Sequence, residues 1–258
     1  MPWMFCTMRG CMVDRPFPAA QPHGELKKLF DDIYFVTGSS RMAKPPLAFS
    51  RNMTVVREGD ALTLINSVRL DESGLKALDA LGRVEHVLCI AGFHGMDDAF
   101  YKDRYGAKVW AMEGHIYASG VNTRPSEADA YFHADTAMNE ETELPISGAK
   151  IYAFKTSGPP EGLLVLERED GIIVSGDCLQ NWHRTDRFFN IAAKVAMRTL
   201  GFIKPHNLGP GWLKSAKPDP SEIQGILDLT FEHVLPAHGE EVIGNAKQAY
   251  RPIIDKFS

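Results

Sequence analysis

The sequence contains no long apolar run of the kind that forms a membrane span or a secretion signal. Its first 24 residues mix Met, Pro, Cys and Arg without a continuous apolar core. A membrane-crossing helix needs about 20 predominantly apolar residues, and a signal peptide also needs an uninterrupted apolar segment. We therefore expect no membrane partner. Residues 1–24 are predicted to form an irregular arm ahead of one domain at residues 25–258.

Basic clusters and cysteines are also scarce. The formal net charge is -5 and no block of Lys or Arg occurs, which argues against a nucleic-acid partner. The four cysteines, Cys6, Cys11, Cys89 and Cys178, are few for 258 residues, and two of them lie in or beside apolar strand-like runs. This usage favours a reducing compartment over a disulfide framework, and we expect a cytoplasmic protein.

Two widespread catalytic signatures are missing. No glycine-rich phosphate loop follows a predicted strand, because the nearest candidate, Thr37-Gly38-Ser39-Ser40, has one glycine and is interpreted as a plain turn. No Gly-x-Ser-x-Gly nucleophile elbow occurs either. Cys178 beside Asp177 could be a thiol nucleophile, although its place at the end of a buried strand favours a packing role.

The hydrophobic pattern alternates meanders of short strands with strand–helix units. Strands are predicted at residues 33–36, 53–56, 61–66, 87–90, 108–111, 150–154, 162–167, 171–175 and 233–236. Helices are predicted from an Asp71 cap to Gly82, before Gly106, over 191–200 and over 220–229 with Asp219 as cap, and Pro252 should bend or end a terminal helix. Two β-then-α halves suggest two packed sheets with helices outside.

Residues 116–148 interrupt this alternation with a polar, irregular stretch that carries several acidic side chains. It is interpreted either as a lid over a site or as a solvated surface excursion.

Several short motifs resemble those of the metallo-β-lactamase-fold superfamily. Ser175-Gly176-Asp177 matches the family's Ser-Gly-Asp, and Pro236-Ala237-His238-Gly239 matches its Pro-x-His-Gly. Both follow predicted strands. The family's Leu-Ile-Asp-Thr-Gly appears as residues 64–68, with Asn66 in place of the aspartate. The resemblance implies an α/β four-layer αβ/βα sandwich.

The family's signature loop is only partly present. Thr-His-x-His-x-Asp-His corresponds to residues 91–97, where His94 keeps the second histidine, Gly92 replaces the first, Met96 replaces the aspartate and Asp97 stands at the last histidine. Thr-Pro-Gly-His-Thr corresponds to residues 156–160, where Pro159 replaces another ligand. The resemblance therefore implies a fold match with a reduced metal site.

The ligand set implied by the resemblance is His94, Asp97, Asp177 and His238. In the family the aspartate of Ser-Gly-Asp bridges two metals, so Asp97, Asp177 and His238 would hold one ion and leave a position open for water. His94 would be a ligand or a base, Asp97 would take part in catalysis, and His183 could reach a cleft after Asp177 or lie on the surface. Such donors suit Zn, Fe or Mn equally, and we expect one divalent ion or none.

Two functions remain open at this point. One is a metal-dependent hydrolase of a small ester, lactone or related substrate with at most one metal. The other is a metal-free, inactive binding or interaction scaffold, since each of the four residues alone could simply cap a turn or a helix or be held by backbone hydrogen bonds. Gly92 and Pro159 favour the scaffold, whereas Asp177 and His238 favour the enzyme.

Overall fold

Two β-sheets dominate the structure, a computed structural model that describes residues 17–42, 45–118 and 125–257. The first sheet has the order β1-β2-β3-β4-β5-β6-β9 and is antiparallel as far as β4 and parallel beyond it. Its strands are β1 (Lys27–Phe30), β2 (Ile33–Arg41), β3 (Ala48–Glu58), β4 (Ala61–Ile65), β5 (Arg83–Cys89), β6 (Lys108–Met112) and β9 (Thr136–Met138).

The second sheet has the order β10-β11-β12-β15-β16, in which only β12 and β15 are parallel. Its strands are β10 (Ala149–Phe154), β11 (Glu161–Leu166), β12 (Ile172–Ser175), β15 (His233–Pro236) and β16 (Val242–Ile243). Two small ribbons complete the described strands: β7 (Tyr117–Ala118) with β8 (Ala130–Phe132), and β13 (Leu179–Gln180) with β14 (Asn207–Leu208).

The helices lie outside the sheets. They are α1 (Glu72–Asp79), α2 (Asp98–Tyr105), α3 (Ile191–Thr199), α4 (Pro210–Ala216), α5 (Pro220–Gly225) and α6 (Ala246–Ile254), with short 3-10 turns at Glu127–Asp129, Ile226–Asp228 and Asp255–Phe257. None of the helices in the described ranges is long and apolar enough to cross a bilayer.

The layers follow from the two-residue period of buried strands. In and after β5, Val87 and Cys89 pack towards α1 and α2, whereas Leu88 and Ile90 pack into the core between the sheets. In β11, Leu163 faces a third core, shared with α4, α5 and α6. The order helix, sheet, sheet, helix confirms the predicted α/β four-layer sandwich.

Local signals placed most of the helix ends. Asp71 caps α1 by accepting hydrogen bonds from the amides of Ser73 and Gly74. Gly106 ends α2 at φ 68°, the left-handed conformation that glycine adopts without a Cβ penalty. Pro252 lies in the last turn of α6, which continues to Ile254 instead of ending at the proline. The sequence did not predict β1, α4, β7, β8, β9, β13, β14 or β16, and the interpretation of Thr37-Gly38-Ser39-Ser40 as a plain turn is wrong, because these residues continue β2.

The polar stretch at 116–148 is partly built into the sheet. Strand β9 pairs with β6 as an edge strand, and Met138 is fully buried in the core between the sheets. Residues 119–124 lie outside the described ranges. The predicted arm at 1–24 is described from Phe17, and there the Gly24 amide donates to Thr37 and the Ser39 amide to Pro22 along β2.

Candidate metal centre

Three loops bring a carboxylate and two imidazoles to one edge of the sandwich. Ser175 at the end of β12 pairs with Pro236 at the end of the parallel strand β15, so that Asp177 and His238 both follow two residues later. His94 follows β5 in the other sheet, where the Ile90 carbonyl accepts from the Gly162 amide at 2.8 Å. The carboxyl ends of strands in both sheets therefore meet at this point.

The three side chains face one another at nearly equal distances. His94 Nε2 lies 3.3 Å from His238 Nε2 and 3.3 Å from Asp177 Oδ2, and His238 Nε2 lies 3.2 Å from Asp177 Oδ1. Their side chains are only 4%, 14% and 7% exposed for His94, Asp177 and His238. Within the described ranges, these residues form a group able to hold a metal ion.

Hydrogen bonding around the group leaves lone pairs directed inward. His238 Nδ1 lies 3.2 Å from the carbonyl of Ser50, which can only accept, so Nδ1 carries a proton and the tautomer that binds a metal has its lone pair on Nε2. Asp177 Oδ2 is buried and accepts no hydrogen bond in the described structure, although His94 Nε2 lies 3.3 Å from it. One proton on His94 Nε2 cannot satisfy both neighbours, and the group therefore has an excess of acceptors.

A divalent cation fits this donor set. Ligand atoms about 2.0–2.1 Å from a tetrahedral Zn²⁺ stand about 3.3–3.4 Å apart, close to the separations of the three facing atoms. A cation would also supply a partner for the buried Oδ2 of Asp177. His94, Asp177 and His238 would be the protein ligands of such an ion.

Burial and charge set the ionisation of the group. Burial lowers the pKa of His94, although the charge of Asp177 opposes this, so the ring is neutral at neutral pH. Burial alone would raise the pKa of Asp177, but His94 and His238 hold it well below its usual value. Metal binding requires neutral imidazoles and an ionised carboxylate, and the lowered pKa values of His94 and Asp177 favour these forms of the two residues.

A second buried carboxyl, that of Glu161, borders the site and was missed by the sequence analysis. Its Oε1 accepts from the Cys178 amide at 2.9 Å, and its Oε2 is buried without a partner among the described residues. Burial raises the pKa of Glu161 well above its usual value, and the charge of Asp177 adds to the shift. The place of Glu161 in a strand after Pro160 carried no sequence signal for the site.

The loop that carries His238 is held by a buried asparagine that the sequence analysis also missed. The Asn52 side chain donates to the carbonyls of Pro236 at 2.8 Å and Gly239 at 2.7 Å. The backbone amide of Asn52 donates to the Ala237 carbonyl. The ring of Trp182 lies 5.1 Å from that of His238. These contacts orient the imidazole before any ligand binds.

The two residues that replace family histidines pack against each other. A Cβ placed on Gly92 would lie 2.4 Å from Pro159 Cβ and 2.8 Å from the Pro160 carbonyl oxygen. Protein atoms therefore fill the space beside Gly92, and neither residue offers a ligand atom on its side chain.

Asp97, the remaining expected ligand, is directed elsewhere. Its Oδ2 accepts from the guanidinium of Arg51 and, at 2.7 Å, from the Arg69 amide. Asp97 and Arg51 form a buried ion pair, with side chains 4% and 5% exposed. The carboxylate of Asp97 is not part of the group formed by His94, Asp177 and His238, because the arginine holds it.

His183, the expected catalytic candidate in the loop after Asp177, is exposed. Its ring lies 5.7 Å from that of His206, in an edge-on arrangement. The structure does not bring His183 into the group of three ligands.

No protein-family model and no curated protein matches the sequence. Solved structures do match the fold. DIM-1 metallo-β-lactamase is 13% identical, with 92% of this chain and 100% of that chain covered and a TM-score of 0.62. The metallo-β-lactamase FIM-1 from Pseudomonas aeruginosa in its mono-zinc form is 12% identical, with 93% of this chain and 97% of that chain covered and a TM-score of 0.60.

A metallo-β-lactamase from Hirschia baltica is 15% identical, with 89% of this chain and 97% of that chain covered and a TM-score of 0.55. Each of these likenesses extends over about nine-tenths of this chain. The chain has the metallo-β-lactamase fold.

Proposed function

We propose that this protein is a metal-dependent hydrolase with a single metal ion, acting on a small ester, lactone or related substrate. One observation carries the proposal: three ligand atoms of His94, Asp177 and His238 face one another at 3.2–3.3 Å, with Asp177 Oδ2 buried and accepting no hydrogen bond in the described structure. An apolar or fully hydrogen-bonded cluster would have no such excess of acceptors.

The protein's own residues prepare the site for hydrolysis. A bound divalent ion supplies Lewis acidity and lowers the pKa of a water molecule, and three protein ligands leave a position for that water. Ser50 fixes the tautomer of His238, and Asp177 supplies the negative charge. His94 completes the set from the opposite sheet, so that the two halves of the sandwich share one ion.

The proposed ion is Zn, Fe or Mn, because two nitrogens and a carboxylate do not select among these metals. The mono-zinc form of FIM-1 supports zinc and a single ion. We assign no step of the reaction to His183, which is exposed, or to the carboxylate of Asp97, which Arg51 holds.

The packing of Gly92 against Pro159 favours a second candidate, a metal-free scaffold that has lost hydrolysis. In that case the buried Asp177 would have only the two imidazoles as partners. The substitution Asp177→Asn separates the two functions, because it removes the charge while keeping the shape of the side chain.

The experiment compares wild type, Asp177→Asn and the control Asp103→Asn, an exposed carboxylate on α2. Metal content by elemental analysis, melting temperature with and without chelator, and hydrolysis of small esters and lactones are measured. For the hydrolase we expect about one metal per chain, a wild type destabilised by chelator, and loss of both metal and activity only in Asp177→Asn. A metal-free wild type that is indifferent to chelator, with an Asp177→Asn variant that melts no lower, establishes the scaffold instead.

We also propose a reducing, cytoplasmic location. The thiols of Cys89 and Cys178 are free and buried in the described structure, which supports it.

A further inference from the structure

A small cavity beside the metal centre is lined by arginines. Its volume is about 100 Å³, enough for several water molecules or for one carboxylate or phosphate group. The polar lining includes Ser39, Ser40, Arg41, Arg51, Arg69 and Asp97. The sequence analysis and the proposed reaction do not use these arginines.

The lining has an excess of positive charge. Three arginines, Arg41, Arg51 and Arg69, and one aspartate, Asp97, are the charged residues of the lining, so their formal charges sum to +2. The whole chain has a formal net charge of -5, so this excess is local. Neither Arg41 nor Arg69 forms an ion pair with another described residue, and a positively charged recess of this kind attracts anions.

Arg51 has a hydrogen-bond donor left over. Its side chain is 5% exposed, and its guanidinium donates to the Ser67 carbonyl at 3.2 Å and to Asp97. Its Nε–H is buried and has no partner among the described residues. A buried guanidinium with an unmet donor costs free energy, and an acceptor oxygen in the cavity would remove that cost.

Arg69 is held at the same cavity by other contacts. Its guanidinium donates to the Pro18 carbonyl and lies 4.1 Å from the centroid of the Phe100 ring. Its backbone amide donates to Asp97 at 2.7 Å. Arg69 therefore has a fixed place, and the rest of its five donors remain available to a ligand.

The cavity adjoins the metal centre through two chain segments. Arg51 follows Ser50, whose carbonyl faces His238 Nδ1 at 3.2 Å. Met96 and Asp97 line the cavity and follow His94 by two and three residues. Arg51 is also close enough for its charge to contribute to the lowered pKa of His94.

We propose that this cavity binds an oxyanion, a carboxylate or phosphate group, carried by the substrate of the metal centre. Arg51 contributes the unmet Nε–H, and Arg41 and Arg69 supply the balancing charge. The assignment to a substrate rests on the proposed function, whereas anion binding itself does not. The binding test therefore uses metal-free protein, and the substrate test uses the metal-loaded protein.

The first test is a titration of chelator-treated protein with inorganic phosphate and, separately, with acetate at constant ionic strength. Heteronuclear NMR follows the Arg51 Nε–H and the Arg69 amide. We expect saturable shifts of both signals with at least one anion, and the stronger of the two anions identifies the phosphate or the carboxylate class. Absence of saturable binding by both anions overturns the proposal.

The second test uses Arg41→Gln combined with Arg69→Gln, and Arg83→Gln as control. Arg83 is 77% exposed, pairs with Glu85 and lies outside the cavity, so Arg83→Gln controls for the loss of one surface arginine, and each single variant, Arg41→Gln and Arg69→Gln, is compared with it at equal charge. We expect the dissociation constant to rise at least about tenfold in the double variant and to stay unchanged in the control. An equal loss of anion affinity in the double variant and in Arg83→Gln would mean that the anion is attracted non-specifically, and would refute the site.

The substrate assignment is tested by kcat/KM for aryl esters that differ only in a neutral, carboxylate or phosphate tail. We expect a preference of the metal-loaded wild type for one anionic tail, reduced about tenfold in the double variant and retained in Arg83→Gln. No preference in an active enzyme contradicts the substrate assignment. Anion binding without hydrolysis of any ester refutes the proposed function and leaves the oxyanion site standing.

Discussion

At the scale of single residues, Gly92 and Pro159 pack so closely that a side chain at residue 92 has no room. A Cβ on Gly92 would lie 2.4 Å from Pro159 Cβ, well inside normal contact. Restoring a side chain at residue 92 therefore requires movement of the neighbouring loop as well as a ligand atom.

Gly92→Ala is expected to destabilise the protein by about 1–3 kcal/mol, because overpacking outweighs the gain from a less flexible unfolded chain. Chemical denaturation measures the change. Gly24→Ala is the control, since a Cβ there meets its nearest neighbours at 3.5 and 3.6 Å. Equal stability of Gly92→Ala and wild type would show that the Pro159 loop yields without cost.

Asp97 is a residue of a metal-ligand type that forms an ion pair with Arg51 instead. We expect Asp97→Asn to lower the free energy of unfolding by about 3–5 kcal/mol, because it leaves Arg51 buried without its counter-charge. Metal content should stay at the wild-type level. Elemental analysis and denaturation are measured on the same preparation, with the exposed Asp31→Asn as control. If Asp97→Asn lost its metal but kept the wild-type free energy of unfolding, Asp97 would be a metal ligand after all.

At the scale of elements, the first residue of α2 ties three segments together. Asp98 is fully buried and accepts from Ser67 Oγ at 2.6 Å after β4 and from Tyr117 at 2.8 Å in β7. Burial raises the pKa of Asp98 to about 6 despite these hydrogen bonds. The folded protein therefore keeps a proton on Asp98 that the unfolded chain, with a pKa of about 3.9, has lost.

This difference predicts a pH dependence with a definite sign. The contribution of Asp98 to the free energy of unfolding is fully present below about pH 4 and is lost as the pH rises through 6. A pKa shift of roughly two units makes this loss about 3 kcal/mol. Urea denaturation measures the free energy of unfolding of wild type and Asp98→Asn between pH 4 and 7.5. All other groups titrate in both proteins, so the difference between the two profiles reports on Asp98 alone. Parallel stability profiles would contradict it.

At the scale of the whole molecule, the two free cysteines of the described structure report on global unfolding. Cys89 and Cys178 are fully buried in different cores, and burial raises the pKa of each thiol well above its usual value. The thiolate that reacts with labelling reagents is therefore nearly absent in the folded state.

In a background with Cys6→Ser and Cys11→Ser, we expect labelling of Cys89 and Cys178 only when the sandwich unfolds. Mass spectrometry across a urea gradient should place both labelling transitions at the midpoint seen by circular dichroism. Labelling of Cys178 well before that midpoint would show that the second sheet opens separately from the first.

The sequence by itself determined the four-layer order, and its resemblance to the metallo-β-lactamase family implied all three proposed ligands. The ends of buried strands can be recognised in the sequence because such strands form short apolar runs. Asp177 and His238 stand directly after two of these runs. His94 was legible for the same reason. Caps such as Asp71 and Gly106 act within a few residues, so their helix ends followed from local chemistry.

Only the tertiary structure decided which polar residues share the edge of the sandwich. Arg51 and Asn52 lie inside β3, where neither spacing nor turn chemistry marks a functional side chain, yet one holds Asp97 and the other holds the loop of His238. Glu161 begins a strand and reaches Cys178 across the sheet. Pairing between distant segments sets these contacts, and a buried charge is committed to whichever partner the fold brings within hydrogen-bond distance.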